Sequence, residues 1–168
     1  MTETPKVDTK DGIDPSELTF LCVVDDTPEM AAALRFACRR ASRSGRRLGL
    51  LYVIEPAEFQ HWMSVGELMQ HERREEAEEM LQVVSRTVQM RTGETPALFI
   101  REGNLTDELM ALIEEDKSIA LLVLGAATGT EGPGPLVTTL VQKKAGQLRV
   151  PLTVVPGSLS EADIDAIT

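Results

Sequence analysis

The chain has 168 residues, 42% of them hydrophobic and only 4% aromatic, enough apolar mass for one aliphatic core and too little length for two. Acidic residues outnumber basic ones 27 to 17, for a net charge of −10, so phosphate polymers and anionic headgroups are repelled and non-specific binding to nucleic acid or membrane is excluded. Two cysteines, Cys22 and Cys38, match no metal-ligand spacing and read as reduced core or surface thiols, which fits a cytoplasmic setting, and no stretch nears the ~20 apolar residues of a membrane span.

Residues 1–17, MTETPKVDTKDGIDPSE, lack the basic-then-apolar order of a secretory signal and are expected to form a disordered tail. The first apolar run, LTFLCVV at 18–24, shows no polar alternation, the pattern of a strand covered on both faces. PEMAAALRFACRRASRSG then has helical spacing, with Thr27 placed as N-cap, Pro28 at the first helical position and Gly45 to terminate it. Its end, RRASRSGRR at 39–47, is a cationic segment on an acidic protein; a solvated helix end is the plain reading, contact with an acidic partner the alternative.

LGLLYVI at 48–54 is the second strand. His61 and His71 follow, ten residues apart without a further ligand pair, so surface positions are expected and no metal site. The segment around Trp62 reads as a loop packed on the domain, with a lid or an interface patch as alternatives. A long charged helix over 65–91 carries the apolar stripe Leu68, Ala77, Met80, Leu81, Val84 and Val88. The shorter apolar span of PALFIRE, 96–102, suits an edge strand, and 105–115 a short helix with Leu105, Leu109, Leu112 and Ile113 on one side. IALLVLG at 119–125, a helix over 135–148 and PLTVVPG at 151–157 complete the pattern. The last residues, SLSEADIDAIT at 158–168, place Leu159, Ile164 and Ile167 at near-helical spacing and predict a short helix docked on the body or on a partner.

Strands alternating with helices imply an α/β fold: an open five-stranded parallel sheet of order 3-2-1-4-5 with right-handed crossovers and helices on both faces. Its topological switch lies between strands one and four, beyond the carboxyl ends, where ligands of such sheets bind. Asp25, Asp26 and Thr27 stand there after strand one, and the Gly- and Pro-rich loop from Gly125 after strand four. The nucleophile elbow Gly-x-Ser-x-Gly, the Walker pattern and a dinucleotide fingerprint after strand one are all missing from the sequence. No catalytic residue is therefore assigned.

The blocks VVDDTPEMAAAL, LGLLYVIEP, REGNLTDELMALIEEDKSIALLVLG and VTTLVQKKAGQLRVPLTVVPG resemble, in order, those of the universal stress protein family, over residues 18–157. The resemblance implies an adenine nucleotide alpha hydrolase-like fold, a homodimer and a stress-response regulator; the family contains members that bind ATP and members that do not. ATP-binding members carry Gly-x2-Gly-x9-Gly followed by Ser or Thr after strand four. Here Gly125 matches the first glycine, Thr128 stands at the second and Thr138-Thr139 at the closing pair. Threonine hydroxyls and a helix opened by Pro135 favour an anion. Pro133 and Pro135 remove two N–H donors from the segment and Glu131 adds a repelling charge.

The same resemblance puts Asp25 against the ribose, Val53 at the backbone position that reads adenine, and Val23 in the wall. Capping ahead of the first helix is the competing role for Asp25, and core packing for the two valines. The expectation is thus a cytoplasmic dimer, paired through the free edge of strand five or with other protein partners, holding ATP or another adenine nucleotide. An ATP-dependent enzyme of related architecture, adenylating or slowly hydrolysing, is the alternative.

Overall fold

Five parallel strands form a single sheet: β1 (Thr19–Val23), β2 (Arg47–Ile54), β3 (Ala97–Glu102), β4 (Ile119–Ala126) and β5 (Leu152–Pro156), in the order β3-β2-β1-β4-β5. The computed structural model describes residues 12–56 and 63–168. Residues 1–11 of the expected tail, and the segment holding His61 and Trp62, lie outside the described residues. The remainder of the expected tail is ordered locally: Pro15–Glu17 form a 3-10 turn, capped by the Asp14 carboxylate, which accepts from the Ser16 N–H at 2.8 Å.

Among the described residues five α-helices connect or flank the strands: α1 (Met30–Ser44), α2 (Met63–Thr92), α3 (Leu105–Glu115), α4 (Pro135–Thr139) and α5 (Glu161–Ile167). Strand side chains alternate between two cores. Cys22, Val24, Leu50 and Val123 point toward α1 and α2, where they meet Ala33, Ala37, Cys38, Leu81, Val84 and Val88. Leu21, Val23, Leu51, Leu122 and Leu124 point the other way, onto Leu109, Leu112 and Ile113 of α3 and Val137 and Leu140. Small residues on the inner face of α1 bring that helix close to the sheet. The α2 stripe begins at Ala77, fully buried, and not at Leu68, which is 60% exposed.

The helix ends explain several boundaries. Gly45, at φ 66°, closes α1: its N–H donates to the Ser42 carbonyl and that of Arg46 to the Ala41 carbonyl, the paired bonds of a Schellman motif. At the other end Thr27 does not cap. The Asp25 carboxylate draws in both its N–H and its hydroxyl, so Thr27 turns back toward β1, and α1 starts two residues after Pro28 with Glu29 as a cap lacking a side-chain bond.

The single helix expected over 135–148 is wound in three ways: α over Pro135–Thr139, a wider π turn over Leu140–Lys144 and a 3-10 turn over Ala145–Gln147. Gly146 is a weak helix former, and the residue before Pro151 is driven toward extended backbone, so the helical register loosens ahead of β5. The C-terminal residues are part of the domain. Ser160 and Asp163 form a reciprocal capping box, and α5 docks on α1 of the same chain through buried Ile164 and the Arg35–Asp165 pair.

Candidate functional site

The carboxyl edge of the sheet gathers Val23, Asp25, Val53 and Gly125 on three neighbouring strands. Val23 is buried and Val53 half-buried, and both side chains join the core under α3 and α4. What Val53 offers is its backbone. The Val24 N–H donates to the Leu51 carbonyl, so Leu51 faces β1. The Gly103 N–H donates to Ile54, so Ile54 faces β3. N–H and C=O of one strand residue point the same way and alternate along the chain, so those of Val53 face the β1 side. Since β1 ends at Val23, paired with Leu51, the donor and acceptor of Val53 look into the gap that β1 has left.

Asp25 stands at the β1 end of that gap, two residues after Val23. Its Oδ1 accepts from the Thr27 N–H at 2.9 Å and from the Thr27 hydroxyl, an Asx turn that holds the carboxylate in place and leaves Oδ2 for another donor. The capping role expected of the DDTPE segment thus belongs to a turn before the helix. On its α2 side Asp25 opens onto a broad cleft shared with Asp26, Glu76 and Glu79. That wall repels phosphate, so an anionic group near Asp25 is directed toward β4.

Gly125 closes the β4 side for a packing reason. A Cβ there would lie 2.5 Å from the Glu29 carbonyl oxygen and 2.8 Å from its carbon. Gly157 presses on the same residue from β5, with a hypothetical Cβ 2.9 Å from the Glu29 Cβ. The two glycines together admit the chain entering α1, a role for Gly157 that its place after the last strand does not reveal in the sequence.

The loop after β4 folds on itself: the Ala127 N–H donates to the Pro133 carbonyl at 3.0 Å, and Gly132 and Gly134 take positive φ of 98° and 103°. Thr128 is exposed on it. Thr138 and Thr139 fall within α4, half-buried, and the Thr138 N–H is already committed to the Gly134 carbonyl. Only their hydroxyls remain available. Gly134 is the N-cap of α4 and Pro135 its first residue, so the donors left over at that helix start are the N–H groups of Leu136 and Val137. Those two residues escaped the sequence reading because a backbone donor carries no side-chain signature; Pro135 at the first helical position was the available signal.

Among the described residues no three His, Cys, Asp or Glu side chains are grouped to hold a metal ion, and His71 pairs with Glu75 on the surface of α2 at 3.2 Å. None of their helices is long and apolar enough to cross a membrane.

The universal stress protein family model matches residues 18–156. The chain is similar in fold to the universal stress protein UspA from Lactobacillus plantarum, at 20% identity and a TM-score of 0.70, covering 82% of this chain and 97% of that one. It is similar as well to a universal stress protein solved in complex with cAMP, at 15% identity and a TM-score of 0.58, covering 84% of this chain and 98% of that one. The universal stress protein from Archaeoglobus fulgidus in complex with dAMP matches at 16% identity and a TM-score of 0.56, covering 82% of this chain and 97% of that one. Among curated proteins none matches.

Proposed function

We propose, because the chain belongs to the universal stress protein family, that it is a stress-response regulator of the cytoplasm that binds an adenine nucleotide at the carboxyl edge of β1, β2 and β4. The observation that carries this reading is the backbone of Val53: one donor and one acceptor, pointing into the gap beyond β1, match the paired acceptor and donor on the edge of adenine. Asp25 Oδ2 takes a ribose hydroxyl, a carboxylate–diol contact of ordinary strength. The phosphate lies toward the Leu136 and Val137 N–H groups, with Gly125, Thr128 and the hydroxyls of Thr138 and Thr139 around it.

A mononucleotide suits this edge better than ATP. Pro133 and Pro135 supply no N–H, the Ala127 N–H is spent on Pro133, and Glu131 adds negative charge, so donors for a β- and γ-phosphate are few. Two relatives of the same fold were solved with cAMP and with dAMP, which supports the same choice. Among the described residues the loop's one carboxylate, Glu131, is exposed and not held as a general base, so we read the protein as acting by binding and not by turnover. An adenylating enzyme would carry its glycine-rich phosphate loop after β1, where this chain has VVDDTPEM.

A homodimer through β5 completes the reading. β5 is the last strand of the sheet and α5 packs on α1, so the outer hydrogen-bonding edge of β5 is left for a second copy. Calorimetric titration of AMP, cAMP and Mg-ATP into the wild type and Asp25→Asn tests the nucleotide site. Micromolar AMP binding, weaker for ATP and weakened by Asp25→Asn, is expected; no heat with any of the three at millimolar concentration overturns it.

A further inference from the structure

On a chain of net charge −10, two of the clefts along α2 are acidic: Asp25, Asp26, Glu76 and Glu79 line one, and Glu75, Glu78 and Glu79 outnumber Arg86 in another. A third cleft is the reverse. About 290 Å³ in volume, it is lined by Arg35, Cys38, Arg39, Ser42, Arg43 and Arg91. Arg35, Arg39 and Arg43 follow at four-residue steps along one face of α1, and Arg91 comes from the last turn of α2. Gathering four guanidinium groups costs self-repulsion unless anions answer them.

The fold answers half of that charge. Asp165 of α5 accepts from Arg35 Nε at 2.8 Å and Nη2 at 2.7 Å, a bidentate pair, and lies 3.1 Å from Arg39 Nε. Glu161, largely exposed, adds a contact to Arg35 at 3.4 Å. Arg39 also donates to the Thr168 hydroxyl and the Asp165 carbonyl. Arg91 faces the Cys38 thiol and helps Arg35 and Arg39 hold the Asp165 carboxyl down, but among the described residues no carboxylate stands within ion-pair distance of Arg43 or Arg91. An adjoining cleft shares Ser42 and brings Arg46 and Arg47 against the single carboxylate of Glu94, so a smaller cationic excess continues beside it.

We propose that this cleft is a second ligand site, separate from the nucleotide crevice, for a small molecule bearing a diphosphate or two closely spaced phosphates, held by Arg43 and Arg91 beside the docked α5. Forks converging from two helices suit the oxygens of a compact phosphate group, which a single exposed helix face would not enclose. Polyanionic polymers are disfavoured because the rest of the surface repels them. The cleft lies on the α1 and α2 face of the sheet, whereas α4 and its loop lie on the other. Asp165 acts as the internal anion that keeps Arg35 and Arg39 in place, so ligand binding and α5 docking reinforce the same geometry.

Inorganic pyrophosphate is the probe, titrated by calorimetry at low ionic strength into the wild type, Arg43→Gln, Arg91→Gln and the control Arg40→Gln, whose side chain is exposed outside the cleft. Binding is expected to weaken roughly tenfold in each of the first two variants, the loss of one charge-assisted contact, and to stay unchanged in the control. Hydrogen exchange in the presence of the probe is expected to slow in α1 and α5. No binding to the wild type, equal weakening in all three variants, or slowing confined to residues 127–137 overturns the proposal. The last outcome would move the pyrophosphate to the nucleotide crevice, and leaves the reading of that crevice standing.

Discussion

Replacing Gly125 by alanine separates packing from ligand binding at the end of β4. A Cβ at that position falls 2.5 Å from the Glu29 carbonyl oxygen, 2.8 Å from its carbon and 3.0 Å from its Cβ. Contact between carbon and a carbonyl oxygen needs about 3.2 Å or more, so the start of α1 must withdraw by roughly 0.7 Å. The opposing atoms are backbone, which yields only if the helix moves, and Gly157 blocks that residue from the β5 side. Overpacking of this kind costs about 1–3 kcal/mol, and the upper half of that range is expected here. With a urea slope of about 2 kcal/mol per molar, the midpoint falls by roughly 1 M with the slope unchanged. Gly129→Ala is the control, because a Cβ there meets nothing within 4 Å, and its midpoint should stay within experimental scatter. Both variants are read by urea titration of far-ultraviolet circular dichroism. A Gly125→Ala protein as stable as the wild type would refute the packing role and return the glycine to the ligand.

Two further outcomes follow from ionisable groups. The Arg35 guanidinium, hydrogen-bonded to Asp165, holds that carboxyl below its ordinary 3.8; the folded value lies below the unfolded one, so this stabilisation is complete well above pH 3.8 and is lost as pH falls through the folded value. Asp165→Asn is therefore expected to flatten the acid limb of stability against pH and to speed hydrogen exchange in α5 at neutral pH; an unchanged acid limb would remove the pair from the account. Burial raises both thiols, Cys22 most strongly, whereas Arg91 pulls Cys38 back down. Aromatic disulfide reagents at pH 8 should label neither quickly in the native state, Cys38 before Cys22, and both at once in denaturant; rapid native labelling of Cys22 would contradict its burial.

The strands were legible because burial on both faces leaves an unmistakable run of apolar residues, as in LTFLCVV and IALLVLG. The short helix over 105–115 was legible from four apolar positions, three of which are buried and the fourth packed against them. The start of α1 was misread because Thr27 has two suitors: the helix N–H groups ahead and the Asp25 carboxylate behind, and sequence spacing alone does not rank them. The helix over 135–148 was read too regular because its period is right only as far as Leu140; the demands of Gly146 and Pro151 on backbone geometry break it afterwards.

At the site the same division holds. Sequence by itself determined the sheet order, the crevice between β1 and β4, and which segments border it, since alternation of apolar runs with helical spacing leaves few topologies and each strand end is then assigned. Position after strands one and four marked Asp25 and the loop from Gly125, and the resemblance to the universal stress protein family marked the threonines. Tertiary structure alone decided that Gly125 and Gly157 make room for Glu29, that the Val53 backbone faces a vacated side, and that α5 neutralises two of four converging arginines. Those three facts depend on distances between residues far apart in the chain, and no local spacing encodes a distance across the sheet.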